Sequence, residues 1–444
     1  LVSKPLQYLL ILLGLVAAWP AHANPFDAYG AGARSTALGG AATAGARDFS
    51  ANYYNPALLP TLETMEISFG YLSAQPSLKL NDGDLNLTPS RGSFAGVSLP
   101  RNLSWRRLAV SLSLYLPNQF ITRVRSLPEG QPRFVLYDNR PQRIVVTSSL
   151  AFEVVKDLFI GASLSYLSNT RGLMEMQGEV HLNDPNQTLL MGGVDIDFAS
   201  IRYPTFGVHW RPDEHWRFGL SLREPFHLKL DVGLVVDGDI VTTVAGQKVP
   251  LLEDGQLKLI SHNTNLFSPR QLNLGVGYEG SFVHLYLDVG WYQWSSFPTP
   301  TAYIDTELDL APLDFEVPTS KEPLKPNFTD VFVPRLGLEL TTIENDTLSV
   351  ESRLGYFYEP SPAPDQPETT NYVDNNKHGF SLGLGLEFRA LKPLFPRPVS
   401  LDLAAQAIWM QPRTYSKDDP ADMVGSYRSS GWIFSLSSNV NFRF

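Results

Sequence analysis

The chain has 444 residues, with 35 Lys+Arg against 45 Asp+Glu, a formal charge of -10 and a pI near 5.3. This acidic balance excludes a basic nucleic-acid binder, and the absence of cysteine excludes disulfide scaffolds, thiolate metal sites and thiol nucleophiles. Hydrophobic residues make up 43% of the chain yet mean hydropathy is only -0.10, so the apolar side chains are dispersed rather than gathered into spanning helices.

The chain opens on Lys4, an apolar run from Tyr8 to Trp19 and Pro20-Ala21-His22-Ala23. This order of charge, short apolar run and small residues predicts a signal peptide over residues 1–23, cleaved before Asn24. The run is too short for a membrane-spanning helix, which needs about 20 apolar residues. Residues 24–62 follow as a separate unit without strand character: Asn24 to Gly30, a Gly/Ala-rich stretch from Ala31 to Ala46, and Asp48 to Leu59. Small residues allow close packing in a confined space, so the segment is suited to fold back into a barrel lumen as a plug. Gly30-Ala31-Gly32 does not read as a dinucleotide loop, because Ser35 replaces the third Gly and no strand precedes it.

Over residues 63–444 the pattern is period two, which puts alternate side chains on opposite faces of extended strands. Trp432, Phe434, Leu436, Val440, Phe442 and Phe444 share one face of the last segment, and Ser435, Ser437, Asn439, Asn441 and Arg443 share the other. Leu382, Leu384, Leu386 and Phe388 alternate in the same way with Ser381, Gly383, Gly385 and Glu387. Segmentation predicts fourteen strands, near 64–75, 91–100, 107–117, 142–155, 158–171, 193–211, 216–233, 262–279, 282–297, 330–343, 346–359, 378–390, 399–413 and 430–444. Short turns such as Lys156-Asp157 and Glu344-Asn345 alternate with long loops such as 118–141, 298–329 and 360–377. An even strand count with short turns at one rim and long loops at the other predicts an all-β, antiparallel, transmembrane β-barrel. Trp291, Trp294, Phe297, Tyr356, Tyr358, Trp409 and Trp432 near the long-loop ends predict one aromatic girdle. Trp105, Trp210, Trp216, Phe442 and Phe444 predict the other.

No enzyme signature is present. The eight His show no H-x-x-x-H pair and G-x-S-x-G is missing, so no catalytic residue, metal site or cofactor is expected.

The N-terminal stretch carries Arg34-x-x-x-Leu38-Gly39-Gly40-Ala41 and then Asn55-Pro56-Ala57. Further along come Tyr203-Pro204-Thr205-Phe206-Gly207-Val208, Ser268-Pro269-Arg270-Gln271-Leu272-Asn273-Leu274-Gly275, Val333-Pro334-Arg335-Leu336-Gly337, Arg353-Leu354-Gly355-Tyr356 and Asn371 to His378. In this order, from about Asn24 to Phe444, the chain resembles the FadL-type outer-membrane transporters of long-chain fatty acids and other hydrophobic compounds. The resemblance implies a fourteen-stranded barrel closed inside by an N-terminal hatch of short helices, with Asn55, Pro56 and Ala57 as its gate element. It implies capture at extracellular loops, passage to an apolar lumenal pocket, and lateral release beside an inward kink of the third strand; residues 107–117 carry no signal for that kink. Lys377 and His378 match the family's Asp-x-Asp/Asn-Arg/Lys motif through Asp374, Asn376 and Lys377, and so become candidate ligand contacts. Arg335 and Arg353 face the lumen by parity, either to bind ligand or to pair with Glu339 and Glu351. The partners implied are long-chain fatty acids or aromatic hydrocarbons, outer-membrane lipid and lipopolysaccharide, and the outer-membrane insertion machinery, with a monomer as the unit and no nucleic acid. Two other readings are a general diffusion porin for polar solutes and a structural or adhesin barrel.

Overall fold

The computed structural model describes residues 26–104, 106–119, 130–137, 143–181, 185–244, 247–299, 303–309, 324–391 and 393–444. The expected signal peptide and Trp105 lie outside these residues. The strands are β1 (Glu66–Leu80), β2 (Gly83–Asp84), β3 (Ser90–Asn102), β4 (Arg107–Pro117), β5 (Val145–Val155), β6 (Leu158–His181), β7 (Leu189–Trp210), β8 (Trp216–Arg223) and β9 (Phe226–Val244). They continue as β10 (Gln247–Ser268), β11 (Gln271–Glu279), β12 (Val283–Tyr292), β13 (Tyr303–Asp309), β14 (Val331–Glu344), β15 (Leu348–Glu359), β16 (Lys377–Phe388), β17 (Val399–Tyr415) and β18 (Tyr427–Arg443).

Antiparallel pairing runs β1-β3-β4-β5-β6-β7-β8-β11-β12-β14-β15-β16-β17-β18 and returns to β1, from Glu66 opposite Arg443 to Leu80 opposite Ser429. The result is a closed barrel of 14 staves. Closure leaves no unpaired edge, which a hydrocarbon surround requires.

Two of the predicted strands are each broken in the structure. A proline lacks the N–H of a ladder bond; the wall tolerates this at Pro76, Pro204 and Pro334, but at Pro225 and Pro269 the strands break, dividing 216–233 into β8 and β9 and 262–279 into β10 and β11. Below the breaks β8 and β11 belong to the wall. Above them β9 and β10 form a hairpin that leaves it, with β9 parallel to β6 from Gly172–Val232 to His181–Val241 and β10 antiparallel to β13. The long-loop rim therefore carries its own small sheet.

Outward side chains are apolar and exposed through the middle of the wall, as at Leu274, Leu287, Leu354, Leu382 and Leu436. Exposed Trp210 and Trp216 mark the short-turn rim and exposed Trp432, against Trp409, marks the other. Trp294 and Phe297, expected in the girdle, are buried instead. The chain leaves β12 in a short 3-10 turn at Trp294–Ser296, which carries both rings into a cluster with Phe267 and Phe328.

The inner face is not uniformly wet, as alternation alone had implied. Toward the long loops the inward side chains are apolar, including Leu72, Leu78, Phe94, Tyr115, Ile408, Met410 and Ile433. Toward the short turns they are polar, including Ser98, Ser111, Glu339, Arg353, Asp402, Asn439 and Asn441. On β1 the usual alternation, with Phe69 and Tyr71 outside and Ser68 inside, reverses from Leu72 onward: Leu72, Ala74 and Leu78 are buried inside, while Ser73, Gln75, Ser77 and Lys79 lie on the outward face.

Candidate functional site

Between these two tiers lies the N-terminal segment, with short helices at Phe26–Tyr29, Ala33–Ala37 and Ala51–Tyr54 and a 3-10 turn at Pro56–Thr61. It touches staves on several sides of the ring at once: Ala33–Ala37 meets β15 to β18, and Pro56–Thr61 meets β3 to β7. The wall admits it by omitting side chains. A Cβ on Gly355 would stand 2.0 Å from Gly39 N, on Gly207 2.0 Å from Asn55 Oδ1, on Gly219 2.1 Å from Thr43 O and on Gly383 2.3 Å from Ala37 Cβ. Gly161 is opposite Gly207, Gly219 opposite Gly275 and Gly337 opposite Gly355 across neighbouring strands, so the cleared positions form a belt. Sequence reasoning missed this belt. Its signal was present in the recurring aromatic- or leucine-glycine pairs Phe206-Gly207, Leu274-Gly275, Leu336-Gly337 and Leu354-Gly355.

Asn55 is fully buried and fastens the segment in three directions. Its Nδ2 donates to Thr43 O at 2.8 Å and to Val208 O at 3.0 Å, and its Oδ1 accepts from Ala57 N at 3.1 Å, which caps the turn that Pro56 begins. Pro56 and Ala57 press against Gly161 on β6. On the short-turn side, Arg34 donates to both carboxylate oxygens of Glu339 at 2.8 Å. Glu339 also accepts from Arg353 Nε at 2.7 Å, and Arg353 continues to Glu351 and Asp402. Breaking one member of such a buried network costs about 3–5 kcal/mol, because the partner charge is left stranded.

Two cavities flank the segment. The lower one, about 150 Å³, is lined by charged and polar groups including Arg34, Arg47, Asp48, Glu351, Arg353 and Asp402. The upper one, about 90 Å³, is lined by Phe26, Tyr53, Tyr54, Tyr292, Phe357 and Ile408, with Asp27, Arg223, Arg335, Glu359 and Lys377 among them. A dry cavity near 150 Å³ holds benzene, so the upper one takes only part of a long chain until its walls move. Asp27 is pinned there by Arg223 Nη1 at 2.8 Å, Ser268 Oγ at 2.8 Å and the Tyr53 hydroxyl. Burial pushes the Tyr54 phenol up to about 12, so its hydroxyl stays protonated.

The four predicted ligand contacts separate. Lys377 is buried in the upper cavity, but its Nζ already meets Asp374 at 2.9 Å and Glu359 at 3.0 Å. The surrounding motif is an anchor for loop 360–376: Asn375 Nδ2 donates to Gln411 O and Ser429 O, and Asn376 Oδ1 accepts from Ser361 N. Burial pushes the Asp374 carboxyl up in spite of Lys377. His378 points the other way. It bonds the Tyr356 hydroxyl at 2.9 Å and stacks on Trp409 in the outward girdle, away from the cavity. Arg353 is in the lower tier, consumed by three carboxylates. Arg335 remains in the upper cavity, between the rings of Tyr292 and Phe357 at 5.8 and 5.7 Å, and among the described residues no carboxylate oxygen lies within 4 Å of it.

A closed, lipid-facing barrel with apolar and charged lumenal tiers on either side of an inner segment has the architecture of an outer-membrane transport protein. The chain belongs to the family described as outer membrane protein transport protein (OMPP1/FadL/TodX), whose sequence model matches residues 14–444. It is 22% identical over 419 residues to alkane uptake protein A of Marinobacter nauticus, covering 89% of this chain and 86% of that protein. Among solved structures it is similar to a Pseudomonas aeruginosa FadL homologue, with a TM-score of 0.56, 13% identity and coverage of 93% of this chain and 98% of that one. It is also similar to the P. putida toluene transporter TodX, with a TM-score of 0.53, 15% identity and coverage of 94% and 99%.

Proposed function

We propose that the protein carries long, mostly apolar molecules, fatty acids or alkanes, passively into the cell envelope. The observation that carries this reading is the apolar upper lumen resting on a segment whose far side is charged. Each methylene moved from water into the upper tier is worth about 0.8 kcal/mol, so a long chain is drawn in without any specific contact. Arg335 is the group suited to a carboxylate head, since it makes no direct ion pair among the described residues and interacts with Tyr292 and, at longer range, Glu359. Lys377 holds the loop beside it. The name of the Marinobacter relative supports a neutral chain as cargo.

Exposed Leu189, Met191 and Val194 on the β6–β7 hairpin provide an apolar surface for first contact at the extracellular end. The charged lower tier opposes straight passage, so cargo leaves sideways through the wall near Asn55, Pro56 and Ala57. The β3–β4 and β4–β5 ladders are unbroken, and on this reading the exit opens by movement of the wall or the segment. Protein in liposomes, tested with fluorescent fatty acid, radiolabelled alkane and sugar, should take up the first two and pass little of the third. Deleting residues 55–57 should raise sugar flux. Sugar conductance in the intact protein without binding of either oily probe supports the diffusion porin and overturns the proposal.

A further inference from the structure

The outward wall has a depression where β17 carries alanines. Ala405 and Ala407 form its floor, and Phe380 and Leu382 on one side and Phe434 and Leu436 on the other rise beside them, each more than half exposed. The groove measures about 790 Å³ and lies one to two outward positions inside Trp432, within the apolar band of the wall. Hydrocarbon is the surrounding medium here, so an acyl chain is what fills it.

One end is not apolar. The groove closes on Ser73 and Gln75, in the stretch of β1 where the alternation is reversed. The Gln75 amide nitrogen donates to Pro76 O at 3.3 Å, and its carbonyl and the Ser73 hydroxyl, facing hydrocarbon, are costly unless something there bonds to them. Farther along the same two strands and the same face, beyond Trp432, stand Lys79 and Arg428, both exposed. Among the described residues neither has a carboxylate within 4 Å; Asp84, opposite Lys79 in register, accepts instead from Ser77 Oγ. An apolar trough, a hydrogen-bonding step and two cations above the girdle follow the order of an acylated, phosphorylated lipid in the leaflet on the long-loop side.

We infer that this face is a binding site for the phosphorylated, multiply acylated glycolipid of the outer leaflet, with an acyl chain over Ala405 and Ala407, its carbonyl linkage at Ser73 and Gln75, and phosphate at Lys79 and Arg428. The site is separate from the lumenal path and does not depend on which cargo the lumen takes. Native mass spectrometry of the whole protein in mild detergent, with added diphosphorylated lipid A, tests it. The intact protein should retain one lipid A, and A407F, which fills the trough, should not. K79Q and R428Q should each weaken retention about fivefold, the share expected of one cation near an anionic surface. These cation variants should also bind monophosphorylated lipid A less differently from the intact protein. Heat-shifted gel mobility identifies a folded barrel in every variant, and Q75L gives a second probe should A407F misfold. Equal retention of phosphatidylglycerol, occupancy by fatty acid instead, or unchanged retention in K79Q and R428Q overturns the assignment.

Discussion

The amide nitrogen of Gly39 stands 2.0 Å from the position a Cβ would take on Gly355, so inner segment and wall meet backbone to backbone. Gly355→Val should therefore displace the segment rather than the stave, at a cost of about 1–3 kcal/mol for overpacking. Planar-bilayer conductance should rise and protease should reach residues 30–46, with gel mobility of the folded barrel unchanged. Gly193→Ala, where a Cβ meets nothing within 4 Å, should do neither.

Asn55→Ala removes two donated bonds and one accepted bond at a fully buried position. Leaving Thr43 O and Val208 O without donors should cost about 1–3 kcal/mol for each stranded group. Hydrogen exchange should accelerate at Ala57 and Leu58 while the ladder of β7 and β8 stays protected.

Arg335 and Lys377 should respond differently although both line one cavity. Arg335→Met should weaken fatty-acid binding by about 10–100-fold, the worth of one charge-assisted hydrogen bond, and leave alkane binding unchanged. Lys377→Met strands Asp374 and Glu359, so loop 360–376 should loosen and become susceptible to protease, with both cargoes affected. Titration with each ligand, run beside limited proteolysis, separates the two.

At the short-turn rim Asp157, in the turn between β5 and β6, ties these staves to β4 through Arg107 at 2.7 Å and to the end of β7 through Arg211 at 2.9 Å. Burial opposes its charge, but hydrogen bonds from the two guanidinium groups hold its carboxyl below the ordinary value of 3.8. A depressed native pKa means that this contribution to stability is complete above the ordinary value and is lost as pH falls through the lowered one. Asp157→Asn should accordingly lower the unfolding temperature at neutral pH and make no difference once the acid has protonated the native carboxyl.

The wall was legible because lipid demands a strict period: Trp432 to Phe444 announces a stave on its own. The breaks at Pro225 and Pro269 were not separable from sequence, since Pro76, Pro204 and Pro334 stay within their strands and the period-two alternation runs on past both breaks. Alternation could place Arg335 and Arg353 inside and could not tell them apart. Glu351, two residues away on the same face, was a visible partner, but Glu339 and Asp402 lie on other staves and meet Arg353 only after the staves assemble. His378 shows a different failure: neighbouring residues in a strand face opposite ways, so Lys377 and His378 could never share a cavity. Matching them as one motif hid the geometry.

The two-tiered lumen gives the inner segment a second duty. Its lower half is lined for water and ions and would conduct them if it stood open, and every copy inserted in the membrane would then be a leak. On the proposed reading, fewer than forty residues, none belonging to the wall, keep the permeability barrier of the cell surface at the spot where oily cargo passes. Selection on this stretch would then answer to envelope integrity as well as uptake, and a variant that failed the first would harm a cell even in the absence of cargo.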